Sequence, residues 1–259
     1  MTSMTPFAAL HHGAAPLLLP NAWDHASAAA LVARGFPAVG TTSLGVAAAA
    51  GLPDGSSATR EETLRLALVL GSGPGLLSVD AEDGYSDDPE EVAAFARQLA
   101  AVGAVGVNLE DRLGDPVRHA AKIAAVKAAV PGLFVNARTD THWLGDGGED
   151  PRPRLDAYQE AGADGVFVPG LTDAREIEAL VKDLDVPLNV LHSPAGPGVP
   201  RLAELGVRRV SLGSLLYRVA LGAALDAVGE IAAGRAPAGT VPSYGEVEAL
   251  ARRDPLRHC

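Results

Sequence analysis

The sequence predicts a (β/α)8 TIM barrel, a single α/β domain over residues 1–259 with C-terminal helices from about residue 214. Three observations point there. The chain has 259 residues, 47% of them hydrophobic, enough to bury one large core. Eight short apolar runs alternate without a break with Ala-rich segments of helical length, as successive strand–helix units do. No G-x-G-x-x-G follows the first run, so the competing arrangement, a doubly wound open sheet, lacks its dinucleotide signature.

The units follow in order along the chain. The run at 16–20 precedes "DHASAAALVARG", which Asp24 opens and Gly35 closes as helix caps. The run at 38–41 enters "TTSLG" and a small-residue stretch ending at Asp54, before a helix near 60–70. The run at 76–79 meets "DAEDGYSDD" and a helix at 89–102, closed by Gly103. Asp87, Asp88, Glu90 and Glu91 read there as acids favoured at a helix N-terminus, and Asp83-Gly84 as turn chemistry. Strands at 105–109, 133–136 and 165–168 pair with helices near 117–129, 151–161 and 173–183, and Gly162 closes the second. Strands at 187–191 and 208–212 lead into helices at 199–205 and 214–233, and a last helix covers about 243–252. "GAVGVNLE" and "GADGVFVP" are alike, as barrel half-units often are.

Composition narrows the chemistry. Net charge is −11 with no Lys/Arg run, a poor match for nucleic acid or anionic membrane. No apolar stretch approaches the roughly 20 residues that span a bilayer. The N-terminus lacks the basic start and long apolar run of a secretory signal, so a cytoplasmic location is expected. The sole cysteine is Cys259, which disfavours internal disulfides, thiolate zinc sites and a buried catalytic thiol. The three lysines, Lys122, Lys127 and Lys182, lie in helical stretches. A Schiff-base aldolase, which needs a pocket lysine, is disfavoured.

Barrel active sites form at the carboxyl ends of the strands. Here those ends are polar: Asp80-Ala81-Glu82, Asn108-Leu109-Glu110-Asp111, "NARTDT", His192, and Ser211 with Gly213. Alternation along a strand gives Asp80 and Glu82 one face, Asn108 and Glu110 one face, and Asn136, Arg138 and Asp140 one face. If those faces point inward, several carboxylates and one arginine meet at the barrel mouth. Crowded carboxylates repel and shift their pKa values upward, and a hard cation relieves that. Mg²⁺, which takes one or two carboxylates and keeps several waters, suits the set, with Mn²⁺ as an alternative. Arg138 offers a planar fork for a substrate carboxylate. Asp111 and Arg112 read either as site residues or as a surface ion pair. His192 is a loop residue open to either role, His25 and His119 read as helical and structural, and His11, His12 and His258 carry no signal. Trp23 and Trp143 read as loop packing or pocket wall. Gly213-Ser214 could instead open a phosphate site at a helix start.

Several segments resemble the isocitrate lyase/phosphoenolpyruvate mutase superfamily, in its short branch that includes methylisocitrate lyases. They are "LPNAWDHASAAALVARGFPAVGTTSLGVAAAAGLPDG", "VDAEDGY", "GVNLEDR", "VNARTDT", "AGADGVFVPGL" and "RLAELGVRRVSLGSLLYR", together covering roughly residues 16–225. The resemblance implies a Mg²⁺-dependent barrel, a homo-oligomer (dimer or tetramer) whose C-terminal helix is swapped between subunits, acting on small 2-oxo or 2-hydroxy carboxylates through an enolate held on the metal. It implies Asp80 as direct metal ligand and Glu82, Glu110 and Asp54 as acids holding the metal largely through its waters. Ser43, Leu44 and Gly45 would grip the substrate carboxylate; His192, from its place after strand seven rather than from the resemblance, is expected as a further substrate contact. Arg138 and Glu110 would be catalytic. The lyases' Lys-Lys/Arg-Cys-Gly-His loop and the mutases' asparagine loop are absent after strand four, where this chain has "EDRLGDPVRHAAKI". Gly170 stands where the lyases show a glutamate. The expectation is a carbon–carbon lyase, decarboxylation included. The alternatives are carbon–phosphorus chemistry, as in phosphonopyruvate hydrolysis or phosphoenolpyruvate mutation, and a non-catalytic 2-oxoacid-binding protein.

Overall fold

A computed structural model describes residues 4–73, 75–144 and 149–251. His258 and Cys259 lie outside the described residues. The element order is α1 (Pro6–Ala9), a 3-10 turn (Leu10–His12), β1 (Leu17–Leu19), α2 (His25–Ala33), β2 (Ala38–Gly40), α3 (Ser43–Ala50), α4 (Arg60–Gly71) and β3 (Leu76–Asp80). There follow α5 (Pro89–Ala101), β4 (Ala104–Glu110), α6 (Pro116–Ala129), β5 (Phe134–Arg138), α7 (Arg152–Glu160) and β6 (Gly165–Val168). Last come α8 (Ala174–Asp183), β7 (Leu188–Leu191), α9 (Val199–Glu204), β8 (Arg209–Ser211), α10 (Leu215–Ala232) and α11 (Tyr244–Leu250).

All eight strands are parallel neighbours, from β2 through β8 to β1. The ring closes between β1 and β2 by a bridge from Asn21 to Gly40 and by Gly40 N–H donating to the Pro20 carbonyl at 2.8 Å. The expected (β/α)8 barrel is therefore the fold. Helices start where caps place them. In α2, Asp24 and Ser27 form a reciprocal capping box, and Asp88, Asp115 and Asp173 cap α5, α6 and α8 by accepting from first-turn N–H groups. Each such cap is worth about 1 kcal/mol.

Two differences from the expected elements bear on the site. "SLGVAAAA" is a helix, α3, because an alanine run has the highest helix propensity once β2 has delivered it to the barrel mouth. β5 runs on to Arg138, two residues further than expected, and so carries Arg138 to the rim. α10 buries no residue and leaves Val219, Leu225, Val228 and Ile231 exposed; an exchange of helices between subunits would lay this face on a second copy. No described helix is long and apolar enough to cross a membrane.

Outward-facing Val79, Val107, Val135, Val168 and Val210 are buried under the helices, as barrel strands require. Inside, the amino-terminal end is stoppered by Phe7 and His11, both 1% exposed. His11 stacks on Phe134 at 4.2 Å and its Nδ1 lies 3.0 Å from the Phe7 carbonyl oxygen. Gly106 makes room for this stopper, since a Cβ there would sit 2.6 Å from the Phe7 ring. His11, read from sequence as without signal, is thus a core residue.

Burial, with the Arg209 charge nearby, holds the His11 pKa down at about 3. The folded state then binds fewer protons than the unfolded chain between about 3 and 6.5, so stability rises with pH across that window and is lost as pH falls. At pH 4.5 the loss from His11 is roughly 2–3 kcal/mol. His11→Phe is expected to flatten the fall in unfolding free energy between pH 7 and 4.5 by about that amount, read by denaturant titration. An unchanged pH slope would show that His11 is protonated in the folded state.

Candidate active site

At the carboxyl ends of the strands lies a cavity of about 320 Å³. Asp54, Asp80, Glu110 and Asp140 line it on its acidic side, against Arg112 and Arg138. Thr42, Ser43 and Leu44 at the start of α3 form another wall, and Phe167, Pro169 and Leu191 an apolar one. Trp143 is a wall residue, with Leu144 beside it, which decides between its two sequence readings.

β3 ends at Asp80 and fixes it doubly. The Asp80 N–H donates to Thr41 Oγ1 at 2.8 Å, and Ser43 N–H donates to Asp80 Oδ2 at 3.1 Å. The α3 N-terminus is thereby tied to the strand carrying the acid, a favourable end for negative charge. The alternation expected to bring Glu82 inward stops with the strand, because Glu82 has φ 47 and breaks the pleat. Glu82 is 1% exposed and faces the loop instead, accepting from Thr59 Oγ1 and from Ser57 N–H. It does not line the cavity. Burial raises its pKa, and Asp80 and Asp54 push the same way.

Glu110 ends β4 and Arg138 ends β5, opposite one another in register. Arg138 Nη1 lies 2.9 Å from Glu110 Oε2, and its Nε lies 2.6 Å from Asp140 Oδ1. Burial pushes Glu110 up to about 8; Arg138 pulls against this, while Asp80, Asp140 and Glu82 add to it. Burial alone would lower Arg138, but Glu110 and Asp140 hold its pKa above normal, so it stays charged. Burial raises Asp140 against the same arginine.

Asp111 and Arg112 are not a surface pair. Asp111 is buried and accepts from Tyr158 Oη at 2.7 Å and Arg154 Nη1 at 3.1 Å. Burial works to raise its pKa, yet these bonds and the Leu113 and Asp140 N–H groups bring it below the usual range. Arg112 turns to the cavity and to Asp83 at 3.6 Å. The remaining sequence candidates divide. Asp54, Ser43 and Leu44 line the cavity, with Gly213 and Ser214 of the alternative phosphate reading. Gly45 lies beside it, against Trp23 and Tyr217, and His192 lies off it, its N–H donating to the Ser211 carbonyl and its Nδ1 buried without a partner. At Gly170 a Cβ would come within 2.3 Å of the His142 carbonyl at φ 84, so the backbone leaves no room for the lyases' glutamate.

The candidates left uncommitted by sequence are Asn21, Asn108, Asp140, Phe167 and Ser211, all in the lining. Strand alternation had already placed Asn108 and Asp140 with Glu110 and Arg138. Phe167 had no signal beyond its place in an apolar strand.

The residues suit a hydrated divalent cation. Among the described residues no three His, Cys, Asp or Glu side chains converge on one point, so a dry protein cage is absent. Mg²⁺ asks for less, one or two carboxylates and several waters. Four carboxylates against two guanidinium groups at the cavity leave an excess of negative charge. Asp80 Oδ2 takes the Ser43 N–H and its other oxygen has no protein hydrogen bond among the described residues; Asp54 and Glu110 line the same cavity, and Asp140 Oδ2 is likewise without a partner.

Residues 7–232 match the family model described as phosphoenolpyruvate phosphomutase. An uncharacterized protein of Mycobacterium tuberculosis (strain ATCC 25618 / H37Rv) is 44% identical over 93% of both chains. An oxaloacetate decarboxylase of Pseudomonas fluorescens (strain SBW25) is 32% identical over 58% of this chain and 56% of its own. A crystal structure from Burkholderia cenocepacia J2315, assigned to the lyase/mutase class, is 35% identical with a TM-score of 0.85, covering 96% of this chain and 95% of that one.

Proposed function

The chain belongs to the phosphoenolpyruvate phosphomutase family, and from that premise we propose that it is a Mg²⁺-dependent lyase that breaks a carbon–carbon bond in a small 2-oxo or 2-hydroxy carboxylate. Loss of CO₂ from a 2-oxo acid with a second carboxylate is the favoured reaction. The observation that carries this reading is Arg138, buried between Glu110 and Asp140 at the wall of a carboxylate-rich cavity.

Asp80 would hold the cation directly, with Asp54 and Glu110 reaching it through water and Glu82 supporting from behind. Bound there, Mg²⁺ would supply Lewis-acid polarisation of the substrate's 2-oxo group. The chain's own part is electrostatic. Ser43, at the opening of α3, offers a hydroxyl to the substrate's C1 carboxylate, and Arg138 faces the oxygen on which charge develops. In decarboxylation the C3–C4 bonding pair moves into the C2–C3 bond, the carbonyl pair moves onto oxygen, and CO₂ leaves. A proton from water then restores C3. No acid is needed at the leaving group, which matches the loop after β4. That loop is a tight turn with Arg112 and Leu113 both at positive φ, and it sends only Arg112 to the cavity. The decarboxylase similarity supports the same choice.

The test is proton and phosphorus NMR of the protein with Mg²⁺ and oxaloacetate, methylisocitrate, dimethylmalate, phosphonopyruvate or phosphoenolpyruvate, each repeated with EDTA. EDTA-sensitive pyruvate from oxaloacetate is the expected result. Phosphate released from phosphonopyruvate, with the carbon acids untouched, would move the protein to carbon–phosphorus chemistry. Unchanged substrates throughout would favour the binding-protein reading.

A further inference from the structure

Below the cavity the barrel interior is polar where barrels are usually filled by branched aliphatic side chains. Arg209 on β8 sits there at 1% exposure, level with Asn189 of β7 and Leu17 of β1. Among the described residues no carboxylate lies within ion-pair distance of it. Its Nε donates to Ser211 Oγ at 3.1 Å, its Nη2 donates to Asn108 Oδ1 at 3.1 Å, and its Nη1 has no partner. A buried guanidinium is costly to keep, and this one spends two of its donors on residues of the cavity floor, Ser211 and Asn108.

The contact to Asn108 settles which way that amide points. Arginine has donors and no acceptor, so the Asn108 atom facing Nη2 is the carbonyl oxygen. The same oxygen accepts from Asn136 Nδ2 at 2.9 Å. With both donors on Oδ1, the Nδ2 group is turned the other way, toward the cavity that Asn108 lines, and it has no protein partner among the described residues. Asn108 is 8% exposed, and this donor opens on the cavity, where an acceptor on a ligand would replace water with a direct hydrogen bond in a low-dielectric setting. The neighbouring cation polarises the amide and strengthens its N–H groups as donors.

We infer that Asn108 is a substrate-binding residue that donates from the cavity floor to an oxo or carboxylate oxygen of the substrate, and that Arg209 is the positioning residue that locks Asn108 in that orientation. The inference rests on the lyase reading of the cavity and sharpens it: the floor selects a group bearing lone pairs, so a 2-oxo acid binds and its 2-amino counterpart, with an ammonium at that place, does not.

The experiment uses the full chain with Mg²⁺ and two readouts. One is calorimetric binding of oxalate, a dianion whose oxygens are all acceptors. The other is kcat and KM on whichever panel acid the wild type converts. Asn108→Ala is expected to weaken oxalate about 10- to 100-fold, and Asn108→Asp more, since it replaces a donor with a like charge. Arg209→Met is expected to weaken oxalate about tenfold in the wild-type background and to change nothing further in the Asn108→Ala background. Additive losses in that cycle would overturn the positioning role. Unchanged oxalate affinity in Asn108→Ala, which does not depend on Arg209→Met folding, would overturn the whole inference. A wild type that neither binds oxalate nor converts any acid would instead overturn the underlying lyase reading.

Discussion

Replacing Asp80 with alanine is expected to lower kcat/KM by about 10³-fold or more and to abolish the response to Mg²⁺, with the melting temperature unchanged or raised. The direction on activity follows from position. Asp80 stands at the end of β3 with one oxygen on Ser43 N–H and its backbone N–H on Thr41, which leaves its second oxygen free for the cation in the proposed reading. A lost ligand of this kind removes both substrate orientation and polarisation, and each is worth several kcal/mol. The direction on stability follows from charge. Asp80 helps to push Glu110 and Glu82 upward, so removing it relieves repulsion in the metal-free protein. Kinetics across a Mg²⁺ titration and a melting curve with EDTA check the two halves. Full turnover at saturating Mg²⁺ would dismiss Asp80 as a ligand. Asp80→Asn, which keeps an acceptor for Ser43, separates loss of charge from loss of that hydrogen bond.

The second large effect is expected from Arg138→Lys, a drop of about 10²- to 10³-fold in kcat/KM with most of it in kcat. Arg138 meets two acids on different elements through different nitrogens, Nη1 to Glu110 and Nε to Asp140, and its guanidinium lies 5.8 Å from the centre of the Phe167 ring. A lysine ammonium is a point charge on a flexible stem and cannot span that fork while facing the substrate. The charge count is kept, so the fold should survive. Near-normal kcat and KM would reassign Arg138 to holding Glu110 and Asp140 in place, with no contact to substrate.

The barrel and much of its site were legible in the sequence because they depend on short-range patterns. Apolar runs, cap residues and strand alternation locate Asp80, Glu110 and Arg138 at three neighbouring strand ends, and all three meet there. Alternation failed where the pleat ended: Glu82 is one residue past Ala81 at φ 47 and turns to Thr59. It also gave no warning of Asp111, whose partners Arg154 and Tyr158 come from α7, beyond any local window. Arg209 was half legible. It shares the face of Ser211 on β8, yet a charged residue in an apolar run reads as a surface position until the register with Asn189 and Leu17 is known. His11 belongs to the same class of miss, since nothing local shows that a helical turn near the N-terminus fills the bottom of the barrel.

The way the ring closes sets an order on synthesis. β1 pairs with β8, and Phe7 and His11 pack against Phe134 of β5, so the first residues to leave the ribosome wait for the fifth strand to seat the stopper and for the eighth to complete one side of β1. Until β8 emerges, β1 keeps an unpaired edge and the stopper has no finished barrel to close. Pairings of such long sequence separation form slowly, and an exposed strand edge invites pairing with other chains meanwhile. The nascent chain therefore depends on β2 to β7 holding together as an open sheet until its last strand arrives.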